Sequence, residues 1–142
     1  ELKKRPFVWG KFIWVLADFS SHVRSEGDTL GLNDKGLVSY DRKTKKDAFY
    51  YYKANWSKSP LVYIAEKRNI NRKNELTNVK IFSNCEAVEL FLNQESLGTK
   101  SPDEFGTIIW ENVKLRPNEN HLKVKANNNN LLIDNAIWNL KK

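Results

Sequence analysis

The stretch Asn78–Asn93, "NVKIFSNCEAVELFLN", alternates apolar and polar residues twice, with a short polar break between the two runs. Successive side chains of a strand point to opposite faces, so Val79, Ile81 and Ser83 share one side of a first strand. Val88, Leu90 and Leu92 share one side of a second, with Glu89 and Phe91 opposite. The habit continues downstream. "NQESLGTK" (93–100) reads as a hairpin that returns Leu97 to the core, "TIIWENVKL" (107–115) supplies Ile108 and Trp110, and "NHLKVKAN" (120–127) supplies Leu122 and Val124. "LLIDNAIWNL" (131–140) adds Leu132 or Ile133, Ile137 and Trp138. Turn residues at Asn93-Gln94, Pro102-Asp103, Arg116-Pro117-Asn118 and Asn127–Asn130 separate the runs. With Leu61–Ala65 as a first strand, about seven strands are expected, as an immunoglobulin-like sandwich requires.

Composition narrows the partners. A chain of 142 residues can bury a core in one or two compact units. Its net charge of +7 would suit an anionic partner, yet 24 basic and 17 acidic residues are interleaved along the chain, which argues against a nucleic-acid surface. The cationic run "RKTKK" with nearby tyrosines is the best that a nucleic-acid reading could use. Cys85 is alone and only His22 and His121 accompany it, so neither a disulfide nor a thiolate–imidazole metal site is expected. No run of eighteen apolar residues exists to cross a membrane, and the first residues lack the apolar core of a signal peptide.

The first half behaves differently. "PFVWGKFIWVLADF" is apolar on both faces from Phe7 to Phe19, as a strand covered on both sides would be. A polar loop over Ser20–Gly36 follows, then the short apolar "LVSY". Lys43–Trp56 puts Ala48, Tyr51, Tyr52 and Trp56 at helical spacing, with Lys45, Lys46, Asp47 and Lys53 left for solvent, and Pro60 ends any helix soon after. One strand, one loop and one helix cannot bury their own faces.

Read in order, "WGKFIWVLADF", "EGDTLGLNDKGLVSYDRKTKKDAFYYYKANW" and "NVKIFSNCEAVELFLNQESLGT" resemble the C-terminal part of the β-galactosidases and β-glucuronidases of glycoside hydrolase family 2. The resemblance covers nearly the whole chain. It implies that residues 1–58 are the last strand, loop and helix of a (β/α)₈ catalytic barrel, and that 59–142 are the immunoglobulin-like domain behind it. The fold class is then mainly β, a sandwich preceded by a barrel fragment. Sites of such barrels lie at the C-terminal ends of the strands, so the loop after the eighth strand would face substrate.

By the same resemblance Trp14 matches an aromatic platform beneath the sugar, whose indole face packs on a pyranose. Asn33 and Lys35 match an Asn-x-Lys pair that contacts the carboxylate of a glucuronide, although galactosidase-like members carry a similar "NDKG". The plain alternative is a turn, with Asn33 and Asp34 bonding their own backbone and Gly36 supplying positive φ. Asp18 is expected to hold a loop; Arg24, Asp41 and Arg42 would tie that loop down by ion pairs, while Glu26, Asp28 and His22 are weaker candidates.

Retaining glycosidases use two carboxyl groups about 5–5.5 Å apart. In the resembled family both glutamates lie on earlier strands, so no catalytic residue is expected within this chain, and by itself it should be inactive. The expected function is that of the C-terminal fragment of a retaining β-galactosidase-like enzyme acting on terminal β-galactosides. The alternatives are a fragment of a β-glucuronidase that reads uronate through Asn33 and Lys35, or a non-catalytic carbohydrate-binding sandwich with Trp110 or Trp138 exposed. No cofactor or metal is called for, carbohydrate is the expected partner, and the open apolar faces of Phe7–Phe19 predict self-association. The family suggests a periplasmic or secreted location, with the cytoplasm possible.

Overall fold

The computed structural model describes residues 4–23, 29–128 and 130–141; Arg24, Glu26, Gly27 and Asp28 lie outside the described residues. Contacts divide the chain into two compact units, Glu1–Lys46 and Asp47–Lys142.

In the first unit β1 (Phe19–Ser20) pairs antiparallel with β2 (Leu32–Asn33), Phe19 opposite Asn33 and Ser20 opposite Leu32. Val38 bridges Ala17 in parallel and Lys45 in antiparallel fashion. The expected strand over Phe7–Phe19 is not formed. Residues 7–16 have no strand conformation, and Phe7, Trp9, Phe12, Trp14 and Leu16 are exposed, Trp9 by 93%. A strand exists only with a ladder neighbour. Here backbone bonds to another segment begin at Val15 and Leu16, whose carbonyls accept from the Leu37 and Val38 N–H groups.

The second unit opens with α1 (Asp47–Trp56), followed by β3 (Val62–Ile64), β4 (Asn71–Arg72), β5 (Leu76–Ser83), β6 (Val88–Leu92), β7 (Glu95–Lys100), β8 (Thr107–Lys114), β9 (Asn118–Asn128) and β10 (Asn130–Leu140). Two sheets form, β3-β5-β8 and β4-β10-β9-β6-β7. The order is that of an immunoglobulin-like sandwich, with β3, β5 and β8 in the places of strands A, B and E, and β6, β9 and β10 in those of C, F and G. All seven expected strands are present; β4, which pairs in parallel with the end of β10, is additional.

Alternation sorts the core as anticipated. Val79, Ile81, Ser83, Val88, Leu90, Leu92, Ile108, Trp110, Leu122, Val124 and Trp138 are buried, the two indoles at 4% and 1% exposure. In β8 the register shifts between Thr77 and Val79 of its partner, where Asn112 takes φ 54° and its N–H donates to Asn78 Oδ1. The extra residue lets Trp110 and Val113 both face inward despite their odd spacing. In β10 the period of two forbids adjacent residues from sharing a face. Leu132, Ala136 and Trp138 face the core, so that of the alternatives Leu132 and Ile133 the first is the inner residue, whereas Ile137, expected inside, is exposed. The Arg72 guanidinium lies 3.6 Å from the centroid of the Trp138 ring.

The outer face of β3-β5 is covered too. Leu61, Tyr63, Ala65 and Phe82 form a second apolar cluster with Ala54 of α1, against which Tyr50 and Tyr51 pack. The inner stripe of the helix is therefore Tyr50, Tyr51 and Ala54 rather than Ala48, Tyr51, Tyr52 and Trp56; Ala48 and Trp56 are exposed. Asp47 settles the rotation, because its carboxylate accepts from the Tyr63 hydroxyl at 2.9 Å and the Glu66 N–H at 2.6 Å, turning the stripe three and four residues later toward β3. The helix also begins at Asp47 rather than Lys43, since Ser39–Thr44 is a turn held by the Ser39 hydroxyl and the Asp41 carboxylate. At the far edge of the sandwich, Lys100 Nζ donates to the Ile109 carbonyl of β8 at 2.9 Å.

Candidate functional site

The expected site residues all fall in the first unit. Asn33 ends β2 and is 3% exposed, with its backbone opposite Phe19. Its Oδ1 accepts from the Lys35 N–H at 3.2 Å, which closes a tight turn and leaves the amide NH₂ as the donating end of the side chain. Lys35 is exposed at the tip of that turn. Turn and binding residue are thus compatible here: the Asn33 side chain builds the corner on which the Lys35 ammonium is displayed.

Gly36 is required for a reason other than the expected one. Its φ is not positive. A Cβ there would stand 2.2 Å from Asp18 N and 2.4 Å from Ala17 C, so the backbone of the turn presses directly on the chain before β1.

Asp18 is the centre of this corner. It is buried, and its Oδ1 accepts from the Gly36 N–H at 2.9 Å and from Lys46 Nζ at 2.6 Å. Lys46 Nζ also donates to the Asp34 carbonyl. Asp18 holds the loop, as expected, whereas Lys46, expected in solvent, is an internal cross-link through its ammonium. Asp41, in the following turn, is bonded by the Ser39 hydroxyl and the Lys43 N–H, and these hold its carboxyl below the usual range. Arg42 has φ 62° and donates to the Tyr40 carbonyl.

Trp14 is 79% exposed and meets Phe19 edge to face, with ring centroids 6.3 Å apart. It lines a shallow, mainly apolar concavity of about 450 Å³ with Leu16, Phe19 and Arg42. An open indole beside an apolar floor can take the C–H face of a sugar. Among the described residues no cluster of His, Cys, Asp and Glu is arranged to hold a metal ion.

A family model described as a domain of unknown function, DUF4982, matches residues 74–131, within the sandwich. A β-glucuronidase of Bacteroides fragilis is 44% identical over 142 residues, covering 99% of this chain and 20% of that protein. The solved structure of an FMN-binding β-glucuronidase from Faecalibacterium prausnitzii superimposes with a TM-score of 0.87 at 37% identity, covering 97% of this chain and 20% of the other. The structure of a candidate β-galactosidase from Bacteroides fragilis gives a TM-score of 0.91 at 31% identity, covering 99% and 21%. The chain spans about a fifth of the length of each of these relatives. Over nearly all of its residues, then, the chain is similar to part of proteins known as β-glucuronidases and β-galactosidases, with a mainly β sandwich fold.

Proposed function

We propose that this chain is the C-terminal part of a retaining β-glucuronidase of glycoside hydrolase family 2, with residues 1–58 completing the catalytic barrel and 59–142 forming the immunoglobulin-like domain. The observation that carries the reading is the 44% identity with a β-glucuronidase across the full 142 residues. It favours the glucuronide over the galactoside, the reverse of the order set by sequence alone.

The chemistry of the corner agrees. A glucuronide differs from a galactoside in carrying a carboxylate where the other has a hydroxymethyl group and in the opposite configuration at C4, and the charged group asks for a fixed cation at that end of the sugar. Lys35 supplies a compact ammonium with three donors on a turn closed by Asn33. Trp14 offers the ring for the pyranose face. In this reading Lys35 is the main contact to the uronate, and Asn33, nearly enclosed, acts chiefly by shaping the turn. The chain binds and orients sugar, while the two catalytic carboxyl groups come from the rest of the parent polypeptide. The exposed apolar residues between Phe7 and Leu16 would lie against neighbouring barrel strands, and in the isolated chain would drive self-association.

The test is the full-length parent enzyme assayed on p-nitrophenyl β-D-glucuronide and p-nitrophenyl β-D-galactoside. The glucuronide should have the higher kcat/KM by about 30- to 150-fold, the worth of a charge-assisted bond of roughly 2–3 kcal/mol. Lys35→Ala should abolish most of that margin. A preference for the galactoside, or an equal loss on both substrates in Lys35→Ala, would overturn the reading.

A further inference from the structure

The backbone on either side of Lys35 is tied to a single ion pair. Before it, the Asp34 carbonyl accepts from Lys46 Nζ; after it, the Gly36 N–H donates to Asp18 Oδ1, the same oxygen that receives Lys46 Nζ. Asn33 Oδ1 takes the Lys35 N–H itself. Each of the four residues Asn33 to Gly36 is therefore anchored, while the Lys35 side chain stays exposed.

The anchors are distant in sequence, 18 residues back to Asp18 from Gly36 and 28 from Lys46. A turn of this composition could close on its own Asx bond alone, so the two long-range ties fix where the turn stands rather than whether it forms. The pair is sheltered, with side-chain exposures of 24% for Lys46 and 5% for Asp18. Removing one member leaves a charge in a poorly hydrated place, which is costly. Gly36 leaves no clearance against Ala17 and Asp18, so a displacement of Asp18 is passed straight to the tip. The same frame reaches Trp14: Leu37 N–H donates to the carbonyl of Val15, its chain neighbour, and Lys46 N–H donates to the Leu37 carbonyl.

We infer that Asp18 and Lys46 are positioning residues for uronate recognition, their ion pair setting the stance of Lys35 and through it the preference for uronides over neutral glycosides. The inference rests on the β-glucuronidase reading and adds two residues that do not touch substrate. A misplacement of about 1 Å at a binding group can cost on the order of 100-fold in rate, so the effect is measurable.

The experiment uses the full-length enzyme and a double-mutant cycle between Asp18→Asn and Lys35→Ala, with the two p-nitrophenyl glycosides as substrates. Asp18→Asn keeps an acceptor for Gly36 and removes the charge that holds Lys46. It should lower the ratio of glucuronide to galactoside kcat/KM by about tenfold or more, mainly through KM on the glucuronide. In the Lys35→Ala background the same change should leave the ratio unaltered, because the group it positions is gone. Lys46→Met should mimic Asp18→Asn, and Lys46→Arg should retain part of the preference. The circular-dichroism melt of each variant checks folding, and if Asp18→Asn does not fold, the Lys46 pair of variants decides. Equal losses on both substrates, or an undiminished effect in the Lys35→Ala background, would reduce the pair to a structural tie and overturn the inference. A wild-type enzyme without uronide preference would overturn the functional reading itself, a separate and recognisable result.

Discussion

The Tyr63 hydroxyl donates to Asp47 Oδ1 at 2.9 Å, joining the first residue of α1 to the central residue of β3. Tyr50 stacks on the Tyr63 ring at 3.6 Å between centroids, and Lys67 Nζ lies 4.4 Å from the same ring. Burial first, and then the neighbouring Asp47 carboxylate, push the Tyr63 ionisation well above its ordinary value of 10.0. The neutral phenol is thus the form that the fold favours. Its contribution is complete below pH 10 and is lost as the pH rises above it, because the unfolded chain then releases a proton that the folded chain retains. Urea denaturation of the full chain between pH 9 and 11 should show stability falling, and Tyr63→Phe should flatten that fall while costing about 2 kcal/mol at pH 7 through the lost bond to a charged acceptor.

Asp134 links the two sheets. Projecting from β10, it accepts the Ile64 N–H of β3 at 2.8 Å and both of its oxygens take Lys67 Nζ, at 2.7 and 2.8 Å. Asp134→Ala leaves an edge N–H and an ammonium without their acceptor, and should destabilise the chain by about 2–3 kcal/mol in chemical denaturation. Asp134→Asn, which keeps an acceptor for Ile64 but removes the charge opposite Lys67, should cost less.

Trp138 is the largest fully buried side chain. Trp138→Ala should cost roughly 3–5 kcal/mol, from lost transfer energy and the cavity left behind. Trp138→Phe should cost distinctly less, since an aromatic face remains for the Arg72 guanidinium. Thermal unfolding of the two variants ranks them directly.

Gly36→Ala tests close approach rather than backbone conformation. The added methyl would meet main-chain atoms of Ala17 and Asp18 at 2.2–2.4 Å, so the two segments must separate. Amide exchange at Leu37 and Val38, whose N–H groups bond to Val15 and Leu16, should accelerate by on the order of tenfold or more. Unchanged protection would show that the turn does not press on that segment.

The sandwich was legible because strands such as β6 bury one side only, and a period of two is then written into residues such as Val88-Glu89-Leu90-Phe91-Leu92. Ile137 and Trp138 are adjacent, and the same period of two lets only one of them face inward. β4 left no trace, since two residues cannot show alternation. Phe7–Phe19 was apolar enough to read as a strand, but apolarity records a demand for cover and not the presence of a neighbour. In the site, Trp14, Asn33 and Lys35 came from resemblance, and Asp18 from its position beyond an apolar run. Lys46 was missed because its carboxylate partner is 28 residues away, a separation that no local pattern encodes.

The ammonium of Lys100 on the Ile109 carbonyl occupies an outward backbone acceptor of β8, a strand with no further neighbour in its sheet. A border left bare in that way can template a foreign strand, and repetition of that step builds fibrils. One long cation laid across the rim makes such growth start by stripping an existing bond, so this domain carries its own safeguard against open-ended stacking.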